Sequence, residues 1–356
     1  MKRYIALTAL LGMLLCAFSG CGFWMDGERI YLEPQHQEEG GGDKGVVPVN
    51  SFVQMQNALL ALVEEGANGA VFSVADFYGG SVHFYMDNAI RFVMDSTPMG
   101  AYAVEDITYE IGTNAGEAAI ALKIKYRFDR SRILRVGKAA NMEEAFSLMG
   151  DALDSCEPYV AVRVPDYAET DLVQWVRDYS MENPHVVMEV PSVDAVTYPE
   201  SGNERIIELS FTYQTSRASL LNMQQTVEPV FTAAELYVRN ATRVREKYAQ
   251  LYAFLMERSE YKIETSITPA YSLLNHGVGD YKAFATVYAA MCRRAGLECD
   301  VISGTRDGAP WSWNLIKISG RYYHLDLLRC AETGDFTPQQ HTQLSGYVWD
   351  FSAYPN

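Results

Sequence analysis

Two stretches of this 356-residue chain alternate apolar with mostly polar residues, and they place the tightest constraint on how it can fold. In the first stretch, the apolar positions are Ile120, Leu122, Ile124, Tyr126 and Phe128, and the polar positions between them are Lys123, Lys125 and Arg127. In the second, the apolar positions are Ile207, Leu209, Phe211 and Tyr213, and the polar ones are Glu208, Ser210 and Thr212. A period of two predicts strands with one buried face and one wet face.

Each alternating stretch closes a similar series of segments. An amphipathic helix pattern ("SFVQMQNALLALVEEG" and "MEEAFSLMGDALDS") precedes an apolar strand ("GAVFSV" and "PYVAVRV"), and a second helix pattern follows. Both series end in Ser-Arg, at Ser131-Arg132 and Ser216-Arg217. We therefore predict two α-β-α-β-β repeat units, residues 49–136 and 137–222, with helices packed over an antiparallel sheet. Chance similarity between two α+β segments is the alternative.

Composition excludes several classes of function. Hydrophobic residues make up 48% of the chain and charged residues 21%, which is a globular balance. The formal net charge of −16 argues against nucleic-acid binding, which needs clustered Lys and Arg. The six histidines are scattered, and no CxxC or HxxxH spacing is present. We predict no metal and no cofactor.

The N-terminus has the layout of a secretory signal. Lys2 and Arg3 precede an apolar run that is too short to span a bilayer comfortably. The following "FSGC" resembles a bacterial lipobox, which implies a signal peptide at residues 1–20 and a lipid on Cys21. Residues 21–48, which include "QHQEEGGGDKG", are predicted to be a flexible tether. The chain would then sit on the extracytoplasmic face of the cell membrane. An ordinary cleaved signal is the alternative.

Two motifs near the C-terminus follow a region of long helical patterns that begins at Thr226. They are "GVGDYKAFATVYAAMCRRAGLECDVISG" and "WSWNLIKISGRYYHLD". The first resembles the "GxGDC-[KD]-x-[YF]-A" start of a transglutaminase-like (microbial transglutaminase/protease) core domain, and the second resembles its "HAWNxVxxxGxWYxxD" segment. The resemblance covers about residues 226–355. It implies a papain-like α+β domain, which we place at residues 223–356.

The same resemblance implies a Cys-His-Asp triad, but only the acid is present. The cysteine position is Tyr281, the histidine position is Trp311 and the aspartate position is Asp326. A tyrosine phenol has a reference pKa near 10, and an indole N–H can only donate a hydrogen bond. We predict a non-catalytic, lipid-anchored envelope protein. The alternative is an active peptidase, amidase or acyltransferase that uses a non-standard residue, with His324 as a proton carrier.

The degenerate site has two interpretations. In the first, Tyr281, Trp311 and Trp313 line a cleft, with Asn314 and Asp326 as polar contacts, for a cell-wall component or an envelope protein or peptide. In the second, which we favour, the rings form a plug that fills the space of the family's catalytic cavity, and Asp326 accepts a hydrogen bond from one of them. A third hypothesis assigns ligand binding to the N-terminal units. A Cys299–Cys330 disulfide is left open.

Overall fold

The computed structural model describes residues 44–77, 80–263 and 266–352, all of which belong to one compact unit. The predicted signal peptide, the lipidation site at Cys21 and most of the predicted tether lie outside the described residues. Within the described part of the chain, no helix is long and apolar enough to cross a bilayer. The described residues have a mixed α+β fold, so the predicted fold class is confirmed at that level.

The first sheet lies in the N-terminal region. The elements here are β1 (Lys44–Pro48), α1 (Phe52–Glu64), β2 (Gly69–Ser73), α2 (Val82–Ser96), α3 (Pro98–Ala103), β3 (Val104–Asn114), β4 (Glu117–Tyr126) and α4 (Arg130–Leu134). The strand order is β1-β2-β4-β3, with β1 parallel to β2 and the other neighbours antiparallel. Ile120 and Ile124 of β4 are buried in one apolar cluster with Leu59 of α1 and Met86 of α2. Helices thus cover one face of this sheet.

Strand β1 lies where the sequence predicts flexible tether. Residues 44–48 pair in parallel with β2, and the next residue, Val49, is fully buried and donates its backbone N–H to Ser73 O at 2.9 Å. The β-branched Val46 and Val47 favour an extended strand. Strand β1 therefore occupies the last five residues of the stretch predicted as tether, because the glycine-rich composition before it masks the start of the strand.

The second sheet has a similar strand order. Its elements are β5 (Gly137–Lys138), α5 (Met142–Asp154), β6 (Tyr159–Val164), α6 (Leu172–Glu182), β7 (Ser192–Tyr198) and β8 (Arg205–Thr212). The strand order is β5-β6-β8-β7, again with a parallel first pair and antiparallel others. The short edge strands β1 and β5 were not predicted.

An arginine makes a similar contact in each of the two sheet regions. Arg130 Nε donates to the carbonyl oxygen of Glu65 (3.1 Å), the residue after α1. Arg217 Nε donates to the carbonyl oxygen of Ser155 (3.0 Å), the residue after α5. Arg130, and not Arg132 of the Ser-Arg motif, therefore makes the contact that resembles that of Arg217.

Arg132 instead joins the two units. Its guanidinium lies over the rings of Phe128 (3.9 Å) and Tyr159 (4.2 Å). It donates to Glu208 of β8, which is 6% exposed and also accepts from the Tyr198 hydroxyl at 3.3 Å. The junction therefore contains a partly buried ion pair whose guanidinium packs against aromatic rings.

The C-terminal region is built around one buried helix. Its elements are α7 (Arg217–Tyr237), α8 (Val244–Met256), β9 (Glu260–Tyr261), α9 (Pro269–Tyr271), a π-helical turn (Ser272–His276), β10 (Val278–Gly279), α10 (Tyr281–Arg294), β11 (Cys299–Arg306), β12 (Ala309–Ile318), β13 (Arg321–Leu325), α11 (Leu327–Thr333), a 3₁₀ turn (His341–Gln343) and β14 (Tyr347–Trp349). The antiparallel sheet has the order β13-β12-β11-β14. Every residue of α10 from Ala283 to Cys292 is buried.

The predicted boundary at residues 222–223 falls inside α7. This helix begins at Arg217 because the Ser216 hydroxyl caps it, accepting from Ser219 N at 3.2 Å. Leu220 belongs to the same apolar cluster as Tyr288 of α10. The second sheet unit therefore runs into the C-terminal region without a linker.

Candidate functional site

Two glycines and an aspartate set the start of α10. Gly277 has φ +71°, and a Cβ there would lie 2.8 Å from the carbonyl oxygen of Arg258. At Gly279 a Cβ would lie 3.1 Å from the Ala283 methyl. Asp280 caps the helix, since its Oδ1 accepts from Ala283 N at 2.8 Å. The "GVGD" part of the motif thus positions Tyr281 as the first residue of α10.

The three positions carried over from the triad meet in space. The rings of Tyr281 and Trp311 are stacked, with centroids 4.7 Å apart and planes at 22°. Trp311 Nε1 donates to Asp326 Oδ2 at 2.9 Å. The chain of contacts therefore runs from the helix start, through β12, to the residue before α11. It has no thiol and no imidazole.

Asp326 receives five hydrogen bonds and is only 8% exposed. Its Oδ2 accepts from Trp311 Nε1, from the Tyr347 hydroxyl (2.7 Å) and from Arg306 Nη1 (3.2 Å). Its Oδ1 accepts from the backbone N–H groups of Leu328 (3.1 Å) and Arg329 (3.2 Å). Burial, and then the bond to Asp326, raise the pKa of Tyr347. Both oxygens of the Asp326 carboxylate therefore already accept hydrogen bonds from groups of the protein itself.

Three residues at the site were missed by sequence reasoning. Arg306 bridges Asp326 and Glu332 (2.6 Å) and lies 5.2 Å from the Trp311 ring. Tyr261, 37% exposed, lies 6.0 Å from Trp311. Tyr347 is the third. Tyr261 and Arg306 lie outside the motif positions, and Tyr347 lies in the C-terminal "SGYVWDFSAYP", which gives no chemical signal.

Two predicted contact residues lie inside the protein. Trp313 is 1% exposed and packs edge-on against Tyr347 and Trp349. Asn314 is fully buried, and its Nδ2 donates to the carbonyl oxygen of Ala285 in α10 at 2.8 Å. Neither side chain has a surface that a ligand could contact. Of the five proposed binding residues, Tyr281 and Trp311 are half-buried, whereas Trp313, Asn314 and Asp326 are buried.

His324 belongs to an aromatic cluster beside the site. Its Nδ1 accepts from Trp313 Nε1 at 3.0 Å, and its ring lies 4.6 Å from Trp349 and 5.9 Å from His341. Burial, and then the charge of His341, lower the pKa of His324 from 6.5 to about 4. This imidazole is therefore neutral at pH 7, and the nitrogen that could accept a proton is already bonded to an indole.

The depressed pKa of His324 predicts a loss of stability in acid. Between pH 6.5 and 4, the unfolded chain protonates this imidazole and the folded protein does not. The free energy of unfolding should therefore fall by up to about 3 kcal/mol as the pH drops through that window. Urea unfolding at half-unit pH steps measures this, with His324→Gln as the reference because it does not titrate. Equal pH slopes for both proteins would contradict the prediction.

The cysteines in the described residues are all free and buried: Cys156, Cys292, Cys299 and Cys330. Cys299 therefore does not pair with Cys330; its thiol lies beside that of Cys292 instead. Burial, and then the Cys299 thiol, raise the pKa of Cys292 well above its ordinary value. A raised pKa is the reverse of what a thiolate nucleophile needs.

A cavity of about 340 Å³ opens beside the start of α10. Lys282 and Ala283 line it from α10, Ile267 from the preceding segment, and Met188 and Val190 from the second sheet unit. Val190 and Ile267 are 44% and 47% exposed. Within the described ranges, no group of three or more His, Cys, Asp or Glu side chains could hold a metal ion.

Comparison with known proteins places this site in a family. The sequence profile of the transglutaminase-like superfamily matches residues 232–327, which include Tyr281, Trp311 and Asp326. Residues 232–327 are a transglutaminase-like domain. The predicted resemblance is confirmed for this stretch, and α8, α10 and strands β11 to β13 belong to the transglutaminase-like domain.

Solved structures similar to the chain include the following three. One is a TGase, with TM-score 0.28 and 12% identity over 60% of this chain and 63% of that chain. A second is a candidate cysteine protease from Cytophaga hutchinsonii, with TM-score 0.26 and 13% identity over 44% of this chain and 70% of that chain. A third is a candidate protease from Parabacteroides distasonis, with TM-score 0.24 and 11% identity over 59% of this chain and 46% of that chain. The chain thus spans less than two thirds of the first neighbour. No curated protein matches it.

Proposed function

We propose that this chain is a lipid-anchored cell-envelope protein whose transglutaminase-like domain is non-catalytic and serves as a binding or assembly module. The observation that carries the proposal is the stack of Tyr281 on Trp311, with Trp311 bonded to Asp326. Acyl transfer by a Cys-His-Asp triad needs a cysteine thiol, an imidazole that takes the proton of the thiol, and an acid that orients the imidazole. Only the acid is present, and it is bonded to an indole.

The stack favours the plug interpretation over an open cleft. Two large rings lie in contact where a nucleophile and its base would have to leave room for an acyl group. The Trp311 N–H is satisfied by Asp326, as a half-buried indole N–H usually is. With this space filled, the 340 Å³ cavity beside α10 is the better place for a ligand of the transglutaminase-like domain. Such a ligand would be part of an envelope protein or a cell-wall component.

A non-standard catalytic residue is the alternative function, and the thiols argue against it. All four described cysteines are buried, and Cys292 has no exposed surface. We predict that 5,5′-dithiobis(2-nitrobenzoate) labels none of these four in the native protein, and all four after unfolding in urea. The absorbance of the released thiolate, followed with Cys16 and Cys21 replaced by serine, measures this. Labelling of a described cysteine within seconds under native conditions would favour the enzyme.

A binding experiment tests the proposed function. The full chain, purified in neutral detergent, would be titrated with solubilised cell-wall fragments beside a Tyr281→Ala, Trp311→Ala double variant. The matched control is Phe146→Ala, Trp175→Ala, because those rings are also stacked (5.1 Å, 24°) but lie in the second sheet unit. The plug interpretation predicts binding by both variants. Loss in the first variant alone would make the stack a recognition surface. Turnover of a peptide amide that iodoacetamide abolishes would end the non-catalytic proposal.

The two N-terminal sheet units are, we propose, duplicates of one ancestral unit. Their strand orders and pairing directions are alike, and α1 and α5 each have 13 residues. The contacts of Arg130 with Glu65 and of Arg217 with Ser155 support the proposal, because a side chain-to-backbone bond of this kind has no reason to recur by chance at equivalent helix ends. The units would then present two related surfaces outward from the membrane.

A further inference from the structure

A second cavity lies away from the stacked rings, between the end of α7, the first turn of α8 and the end of α10. Its volume is about 380 Å³. Three cationic side chains line it, Arg239, Lys247 and Arg294, and the one carboxylate among its lining residues is that of Glu235. Positive charge therefore outweighs negative charge at this cavity, although the chain as a whole carries a net charge of −16.

Two of the three cationic side chains lack a bonding partner among the described residues. Within the described part of the chain, Arg239 and Lys247 form no ion pair and no side-chain hydrogen bond. Other cationic side chains are paired, as Lys317 is with Glu298 at 2.9 Å. Unpaired cations around a concave surface concentrate the local field and attract anions.

The third cation is held in a fixed orientation. Arg294 Nη1 and Nη2 donate to the two carboxylate oxygens of Glu228 at 2.5 and 2.7 Å, and its guanidinium lies 5.7 Å from the Phe231 ring. A guanidinium has five N–H donors, so three remain after this bidentate pair. Glu228 thus orients Arg294 without using up its capacity to bind an anion.

We propose that this cavity binds the phosphate group of a phosphate ester. Guanidinium groups match the geometry of phosphate oxygens, and a lysine ammonium adds a point charge. The cavity is much larger than a phosphate ion, so it has room for the esterified group as well. The site does not depend on the non-catalytic proposal, since it shares no residue with the Tyr281, Trp311 and Asp326 stack.

Calorimetric titration of the full chain in neutral detergent at low ionic strength tests the proposal. The probes are glycerol 3-phosphate, a monoester, and glycerophosphoglycerol, the diester of a lipid headgroup. The Arg239→Gln, Lys247→Gln variant should bind about tenfold more weakly, because charge-assisted hydrogen bonds are lost. The matched control is Arg243→Gln, Arg245→Gln, which removes the same charge from neighbouring residues that do not line the cavity.

The outcomes separate the sources of the phosphate. Binding of both esters, weakened in the cavity variant and not in the control, supports the proposal with a lipid headgroup as the source. Binding of the monoester alone, with the same pattern, supports a soluble phosphate ester. Equal weakening in the two variants would mean a diffuse charge effect and would overturn the proposal. Absence of saturable binding by wild type would overturn it as well.

Discussion

Replacing Asp326 by alanine is expected to lower the free energy of unfolding by about 3–5 kcal/mol, the cost of breaking a buried charge network. The side chain is 6% exposed and accepts bonds from Trp311, Tyr347 and Arg306. Its loss leaves the buried Tyr347 hydroxyl and the Arg306 guanidinium without this acceptor and removes the cap of α11. Urea unfolding at pH 7, followed by tryptophan fluorescence and circular dichroism, measures the change.

Asp280 provides the matched control for Asp326. Both are aspartates that cap a helix. The Asp280 carboxylate accepts a backbone N–H of α10, and among the described residues it has no hydrogen bond to another side chain. Asp280→Ala should therefore cost about 1 kcal/mol, the usual value for a lost N-cap. If the two variants lost the same stability, the cap alone would explain the role of Asp326. Its bonds to Trp311 and Tyr347 would then contribute nothing.

Replacing Glu208 by alanine should also lower the free energy of unfolding by about 3–5 kcal/mol, because the partly buried guanidinium of Arg132 loses its carboxylate partner. Arg132 would remain between the rings of Phe128 and Tyr159 without its carboxylate partner. Since Arg132 belongs to the first sheet unit and Glu208 to the second, the junction between the units should loosen. Hydrogen exchange of β4 and β8, together with urea unfolding, would detect this.

Glu105→Ala is the control for the Glu208 prediction. It removes a carboxylate from an ion pair with Lys125 in which the side chains are 47% and 66% exposed. Solvent screens such pairs, so the stability should not change measurably. A loss for Glu208→Ala no larger than that for Glu105→Ala would show that the junction does not depend on the buried pair.

The periodicity of apolar residues and the spacing of the two motifs were enough to predict most helices and strands and the positions that correspond to the triad. Alternation identified β4 and β8, because a sheet with one buried face requires period two. Motif spacing predicted that positions 281, 311 and 326 belong to one site, and the three side chains are in contact. The short strands β1 and β5 escaped prediction, since two to five residues at a sheet edge carry almost no periodic signal.

The sequence by itself determined that positions 281 and 311 carry a phenol and an indole, which are neither a thiol nor an imidazole. Only the tertiary structure decided how the remaining groups are used. Arg306 and Tyr347, which are 20 and 21 residues from Asp326 in the sequence, donate hydrogen bonds to its carboxylate. Trp313 and Asn314 are buried and do not line the predicted binding surface. The cluster of Arg239, Lys247 and Arg294 likewise depends on three helix ends that meet only in the folded chain. Burial and long-range pairing depend on how the elements pack together, and a linear pattern does not specify that packing.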